Sequence, residues 1–530
     1  MRKILFSALA LSTFVQVNAQ KVPDKFAKTI QAEDLKKHLT FIASDSLKGR
    51  DTGSPEQKVA AQYIADHFKK CGLKPIGKDN SYFQPVDLVK RTWTDVYLKN
   101  GGKKYEYLKD FMANSLAPIQ NEKNVDLVFA GYGIETDKWN DYVNLNVKDK
   151  YVIIFEGEPK GQDGNFPVSG TAEASKFGKA DSWREKLKIA QAKGAKGMLM
   201  VTKNTDEEFL KMVKQRQVMM QRFGSARMIF RDQAEPSAAD FPVLTISSAM
   251  AAEIYDATTN DVQETKDAFL SGKKAADFGL PNPSIALKIE RTEVPVETSN
   301  VLGYLEGTDK KDEVIVVTAH YDHIGVSADG QINNGANDDG SGTVTVMEIA
   351  EAFGLAAKAG KLPRRSILFM TVTGEEKGLL GSEYYVNHPI LPLDKTVCDL
   401  NIDMVGRVDK DHEGKPDYIY VIGSDKLSSE LHAIQEEQNK KTVNLELDYR
   451  FNDPNDPNRF YYRSDHYNFA KNKIPVAFFF NGVHDDYHAP TDDVEKIQFD
   501  KAEKVGRLVF YMAWDIANRD KRLVVDSNKP

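Results

Sequence analysis

The chain has 530 residues, of which 41% are hydrophobic and 28% charged. That composition supports a sizeable core and excludes both a small disulfide scaffold and a broadly disordered chain. Lys and Arg number 71 against 78 Asp and Glu, and no long basic run occurs, which argues against a nucleic-acid footprint.

The first nineteen residues read as an export leader. Arg2 and Lys3 precede an apolar stretch from Ile4 to Val15, and Val17-Asn18-Ala19 is a small-residue cleavage site. Residues 1–19 are therefore expected to be removed, and the product to be exported, either periplasmic or secreted. No later stretch has the roughly 20 apolar residues that a membrane span requires. Cys71 and Cys398 are too few for a disulfide framework. They read as two separate buried thiols, with a single bridge as the alternative.

From Ala32 to Leu73 apolar residues repeat at helical spacing on either side of a Gly-containing turn. Short β-type runs come next at Val125–Phe129 and Tyr151–Phe155, then a helix from Ser182 to Lys193 and a strand at Gly197–Val201. Met212 to Arg231 reads as an amphipathic helix, with a lid as the alternative, and the middle region closes near Phe241–Ile246. From Asn300 strands and helices alternate. Strands are expected at Val314–Thr318, Ser366–Val372, Val397–Met404, Tyr418–Ile422 and Val476–Phe480, and helices at Thr343–Ala357 and Asp500–Ala517. This is the pattern of an α/β fold whose mostly parallel mixed sheet is covered by helices on both faces, with ligands bound beyond the carboxyl ends of the strands.

The chemical signal lies at those strand ends. His320-Tyr321-Asp322-His323 stands directly after the first, and Gly335-Ala336-Asn337-Asp338-Asp339-Gly340-Ser341-Gly342 precedes the next helix. Gly374-Glu375-Glu376, Asn401-Ile402-Asp403-Met404 and Tyr487-His488 mark the ends of later strands. Two imidazoles and three carboxylates suit ions such as zinc, and a bridging carboxylate can hold two of them about 3.5–4 Å apart. No His-Glu-x-x-His helix, Gly-x-Ser-x-Gly elbow or Walker-type loop is present.

In order and context these motifs resemble the co-catalytic zinc peptidases of metallopeptidase family 28. Aminopeptidases, glutamate carboxypeptidases, glutaminyl cyclases and the transferrin receptor are among its relatives. The resemblance implies a zinc-exopeptidase-like domain at 20–123 and 286–530. Residues 124–285, with Gly131-Tyr132-Gly133 and Ala192-Lys193-Gly194-Ala195-Lys196-Gly197, resemble an inserted, smaller α/β protease-associated domain. Carried over by position, the resemblance implies two zinc ions. Asp338 bridges them, Glu376 and His488 complete one site, and His320 and Asp403 complete the other. Glu375 is then the general acid/base, and Asp322 orients the His320 ring.

The expected activity is that of an aminopeptidase acting on peptide substrates, with a carboxypeptidase or dipeptidase on the same metals as the alternative. Arg459, Tyr462 and Arg463 are candidate readers of a substrate carboxylate. A glutaminyl-cyclase-like acyltransferase and a non-catalytic receptor-type binding protein are further readings. The sequence leaves side-chain preference and oligomeric state open.

Overall fold

The computed structural model describes residues 22–223, 227–233, 240–270 and 273–527, so the expected leader at 1–19 lies outside the described residues. Contacts divide the chain into two units. One comprises Met1–Leu88 with Val296–Pro530, and the other is Val89–Pro295. The boundaries expected from the sequence, at 123/124 and 285/286, thus move to 88/89 and 295/296. The cause of the first shift is a hairpin in which Tyr97–Asn100 pair antiparallel with Lys103–Glu106. Its charged and polar residues hide the strand from any search for apolar runs.

In the first unit the sheet runs in the order Glu446–Asp448, Tyr418–Ile422, Val476–Phe480, Thr396–Ile402, Lys310–His320 and Arg365–Val372, with Val301–Leu305, the end of the long strand Ser284–Leu305, antiparallel at the edge. The four strands from Val476–Phe480 to Arg365–Val372 are mutually parallel. Every residue of Thr396–Ile402, Arg365–Val372 and Val476–Phe480 is buried, as expected of parallel strands covered on both faces. His320 pairs with Val372, Thr318 with Asn401 and Ile402 with Phe479, so the carboxyl ends of these strands lie level.

One face is covered by the helices Gly342–Lys358 and Phe499–Asn518. The second buries Ala502, Val505, Val509, Met512, Ala513 and Ile516, the stripe of a 3.6-residue period. The ring centroids of Phe353 and Phe510 lie 4.6 Å apart where the two helices meet. The helix Pro55–Cys71 starts at Ser54, whose side chain accepts the N–H of Gln57, with Pro55 in the first turn. It ends at Gly72, whose φ of 85° is a left-handed cap that glycine adopts without strain.

In the second unit, Ile119–Phe129, Tyr151–Phe155, Gly197–Val201 and Val243–Ile246 form a parallel sheet, with Met112–Ser115 antiparallel at the edge. Residues Asp206–Phe223 are helical, and the strand Arg227–Phe230 occupies the end of the stretch expected to be an amphipathic helix. Both cysteines are buried and free. Among the described residues no helix is long and apolar enough to cross a membrane.

Candidate metal centre

Four adjacent parallel strands each deliver side chains to one place. His320 ends its strand, Glu375 and Glu376 come after Arg365–Val372, Asp403 directly after Thr396–Ile402, and His488 lies in the loop after Val476–Phe480. Asp338 enters from the loop that leads into the helix at Gly342. Arg50, fully buried, fastens the neighbouring backbone by donating to the carbonyls of Ile42, Tyr321, Asn334 and Gly335 at 2.7–3.0 Å.

Asp338 is the centre of the arrangement. Its Oδ1 lies 3.3 Å from Nε2 of His320, and its Oδ2 lies 3.1 Å from Nε2 of His488. On one side, Nε2 of His320 is also 3.6 Å from Oδ1 of Asp403. On the other, Nε2 of His488 is 3.2 Å from Oε2 of Glu376. A ligand atom from each of His323, Asp338 and Glu376 falls within 4.8 Å of the others, and the same holds for His320, Asp339 and Asp403.

Asp339 nevertheless has little left to offer an ion. Its Oδ1 accepts the N–H groups of Gly342 and Met404 at 2.8 and 2.9 Å, and its Oδ2 accepts that of His320 at 3.2 Å. Asp338 keeps both oxygens turned to the imidazoles, while its own N–H donates to Asp492.

Burial would raise the Asp338 carboxyl, but the imidazoles of His320 and His488 beside it hold it well below the usual carboxylate range. Glu375 moves the other way. Burial, reinforced by the charges of Glu376, Asp403 and Asp465 and opposed by His320, pushes it well above that range. Asp465 is pushed up to about 7, again chiefly by burial.

The donor set fits divalent cations of the zinc class on an observation independent of the motifs. Nε2 of His320, Oδ1 of Asp403 and Nε2 of His488 are buried atoms with no hydrogen-bond partner. Buried polar atoms are rarely left so, and imidazole and carboxylate are the donors such ions take.

The structure brings His320, Asp322, Asp338, Glu375, Glu376, Asp403 and His488 into this cluster. A small pocket opens on it, lined by Asp338, Glu375, Asp403, Met404, Phe460, Arg463, Phe478, Phe480, Val483 and Tyr487. Arg463 thus reaches the cavity. Arg459 and Tyr462 do not line it; the guanidinium of Arg459 stacks 4.9 Å over the Tyr462 ring instead.

The orienting partner of His320 differs in detail from the expectation. Nδ1 of His320 donates to the backbone carbonyl of Asp322 at 3.0 Å, whereas the Asp322 carboxylate is 3.8 Å away. The motifs leave out His323, whose Nδ1 is 2.8 Å from Oε1 of Glu376. They also leave out Ser464, whose hydroxyl donates to Oδ2 of Asp403 at 2.7 Å. A second histidine three residues after His320 is the visible signal for the first; nothing local marks the second.

A family model described as Peptidase family M28 matches residues 300–513. The chain is similar to Aminopeptidase YwaD of Bacillus subtilis (strain 168), 27% identical over 233 residues that cover 42% of this chain and 46% of that protein. It is also similar to a probable zinc metalloprotease of Pyricularia oryzae, 40% identical over 99 residues, 18% of each chain. The matched region thus spans less than half the length of these curated relatives. Among solved structures, an aminopeptidase from Aneurinibacillus sp. strain AM-1 is alike in fold, with a TM-score of 0.53 and 20% identity over 95% of this chain and 98% of that one.

Proposed function

Because residues 300–513 of this chain are a peptidase family M28 domain, we propose that the protein is an exported zinc exopeptidase with two metal ions, acting as an aminopeptidase. The observation that carries the reading is Asp338, whose two oxygens each face a different imidazole. One shared carboxylate between two donor sets is what a pair of ions requires. His320 and Asp403 would hold one ion, His488 and Glu376 the other, and Asp338 both. The relatives named for zinc and for aminopeptidase activity support the same choice.

When bound, the ions supply polarisation of the scissile carbonyl and acidification of water. Glu375, which shares the cavity with Asp338 and Asp403, takes the proton of the attacking water and returns it to the leaving nitrogen. Phe460, Phe478, Phe480, Met404 and Val483 give the cavity an apolar wall suited to an uncharged side chain. Residues 124–285, within the unit Val89–Pro295 that lies between the two parts of the first unit in sequence, are read as protease-associated-like.

A second reading, a carboxypeptidase or dipeptidase, is favoured by Arg463. Its guanidinium sits in the cavity wall and donates to the Tyr487 hydroxyl at 3.3 Å, where it could read a substrate carboxylate. The test is hydrolysis of free-amine, amine-blocked and carboxylate-blocked dipeptides, with zinc content compared between wild type and Asp338→Ala. Chelator-sensitive cleavage that needs the free amine, with about two fewer zinc ions in the variant, is the expected outcome. A requirement for the free carboxylate would replace the aminopeptidase with the second reading. Equal zinc content would remove the metal assignment.

A further inference from the structure

Another group of ligand-type side chains lies between two helices of the first unit. His67 and Cys71 are one turn apart on Pro55–Cys71, and Glu351 lies more than two turns into Gly342–Lys358. A ring nitrogen of His67, the sulfur of Cys71 and a carboxylate oxygen of Glu351 all fall within 4.8 Å of one another. His67 and Cys71 are buried, while the Glu351 side chain is 45% exposed, so the group is closed on the protein side and open on the other. Nε2 of His67 donates to the carbonyl of Met347 at 3.0 Å. Nε2 is also the ring nitrogen that faces Glu351, 3.8 Å from its Oε2, so an ion held there replaces the bond to Met347 while the ring proton moves to Nδ1.

We propose that His67, Cys71 and Glu351 form a separate site for one divalent cation of the zinc class, which fastens the helix Pro55–Cys71 to the helix Gly342–Lys358. Bond lengths of 2.0–2.3 Å in a tetrahedron place ligand atoms about 3.3–3.8 Å apart, so contraction by at most about 1–1.5 Å from the present limit is enough. Binding converts the Cys71 thiol to thiolate and releases its proton to solvent. Thiolate and carboxylate then neutralise the 2+ ion, and the buried site carries no net charge. The sulfur donor favours zinc over magnesium or calcium. Water fills the fourth position on the exposed side of Glu351.

The surroundings agree with this. Glu348, one turn before Glu351, is 2% exposed, and its Oε1, 3.4 Å from Nε2 of His38, is buried with no hydrogen-bond partner. Burial first, and then the charge of Glu351, push the Glu348 carboxyl up to about 8. A cation on Glu351 cancels the second of these causes.

The site is testable without reference to peptidase activity. The strand-end centre has no sulfur donor, so a thiolate-to-cobalt charge-transfer absorption in the near ultraviolet reports only on a cysteine ligand. We expect one equivalent of that absorption when the full protein is exchanged into cobalt, its retention in Cys398→Ser, and its loss in Cys71→Ser. Zinc content of Cys71→Ser should fall by about one ion per chain relative to wild type, and Glu351→Gln should weaken cobalt binding at this site by about 10-fold or more. A folded, cobalt-saturated wild type without the absorption would overturn the proposal. So would an absorption, or a zinc content, that Cys71→Ser leaves unchanged.

Discussion

Oδ1 of Asp322 accepts the backbone N–H of Glu375 at 3.2 Å, while its Oδ2 accepts the hydroxyl of Thr52 at 2.7 Å. One buried carboxylate therefore ties the segment after His320 to the turn that presents Glu375. Asn at this position has a single acceptor oxygen and keeps only one of the two bonds. Asp322→Asn should lower kcat by about 10- to 100-fold with little change in KM or zinc content, because the acid/base loses its placement rather than its chemistry. An unchanged kcat would mean that other contacts are sufficient to hold Glu375.

Glu375→Gln tests the role itself. Gln is close in size but cannot accept and return a proton, so kcat should fall by about 10²–10⁴-fold while zinc content stays at the wild-type level. Glu376→Ala should do the reverse in the first instance and lose metal. Turnover near wild type in Glu375→Gln would remove the residue from the mechanism.

The adjacent acids Asp338 and Asp339 are predicted to part company on substitution. Asp338→Asn should lose metal, since an amide is a poor partner for two cations. Asp339→Asn leaves a buried N–H among Gly342, His320 and Met404 without a full acceptor, at a cost of about 1–3 kcal/mol. Its signature is a lowered denaturation midpoint with zinc still bound after refolding. The opposite pattern would exchange the two roles.

Much of the sheet is legible in the sequence because its central strands are apolar on both faces. Tyr151–Phe155, Gly197–Val201, Tyr418–Ile422 and Val476–Phe480 occur where the runs of apolar residues stand. The strand expected at Val314–Thr318 is longer in the structure, because Lys310 pairs with Arg365 through a charged extension that no apolar run reveals. The hairpin at Tyr97–Glu106 is hidden in the same way, and with it the first unit boundary. At the site, residues at strand ends are readable from their place in the alternation. Those whose role depends on approach from elsewhere, such as Arg50 on four carbonyls and Ser464 on Asp403, are not.

His323 carries a prediction of its own. Its Nδ1 is 2.8 Å from Oε1 of Glu376, while Oε2 of Glu376 lies 3.2 Å from His488. It therefore fixes the carboxylate that would share an ion with His488. His323→Gln should weaken zinc binding by about 10- to 100-fold, seen as lower chelator concentrations needed to abolish activity. Activity restored at high added zinc would separate this positioning role from a direct one.

Acid sensitivity should report on His466, which is fully buried and stacks on Phe478 with ring centroids 4.6 Å apart. Burial lowers its pKa to about 3, against an ordinary value of 6.5. Between those values the unfolded chain binds a proton that the folded protein refuses. The contribution to stability is therefore complete above 6.5 and is lost as pH falls, by up to about 1.4 kcal/mol for each pH unit. His466→Phe preserves the stacking and removes the titration. Urea midpoints measured from pH 7.5 to 5 should fall less steeply for the variant than for wild type. Parallel slopes would show that His466 is already protonated in the folded protein, or that the ring opens to water before the rest of the unit unfolds.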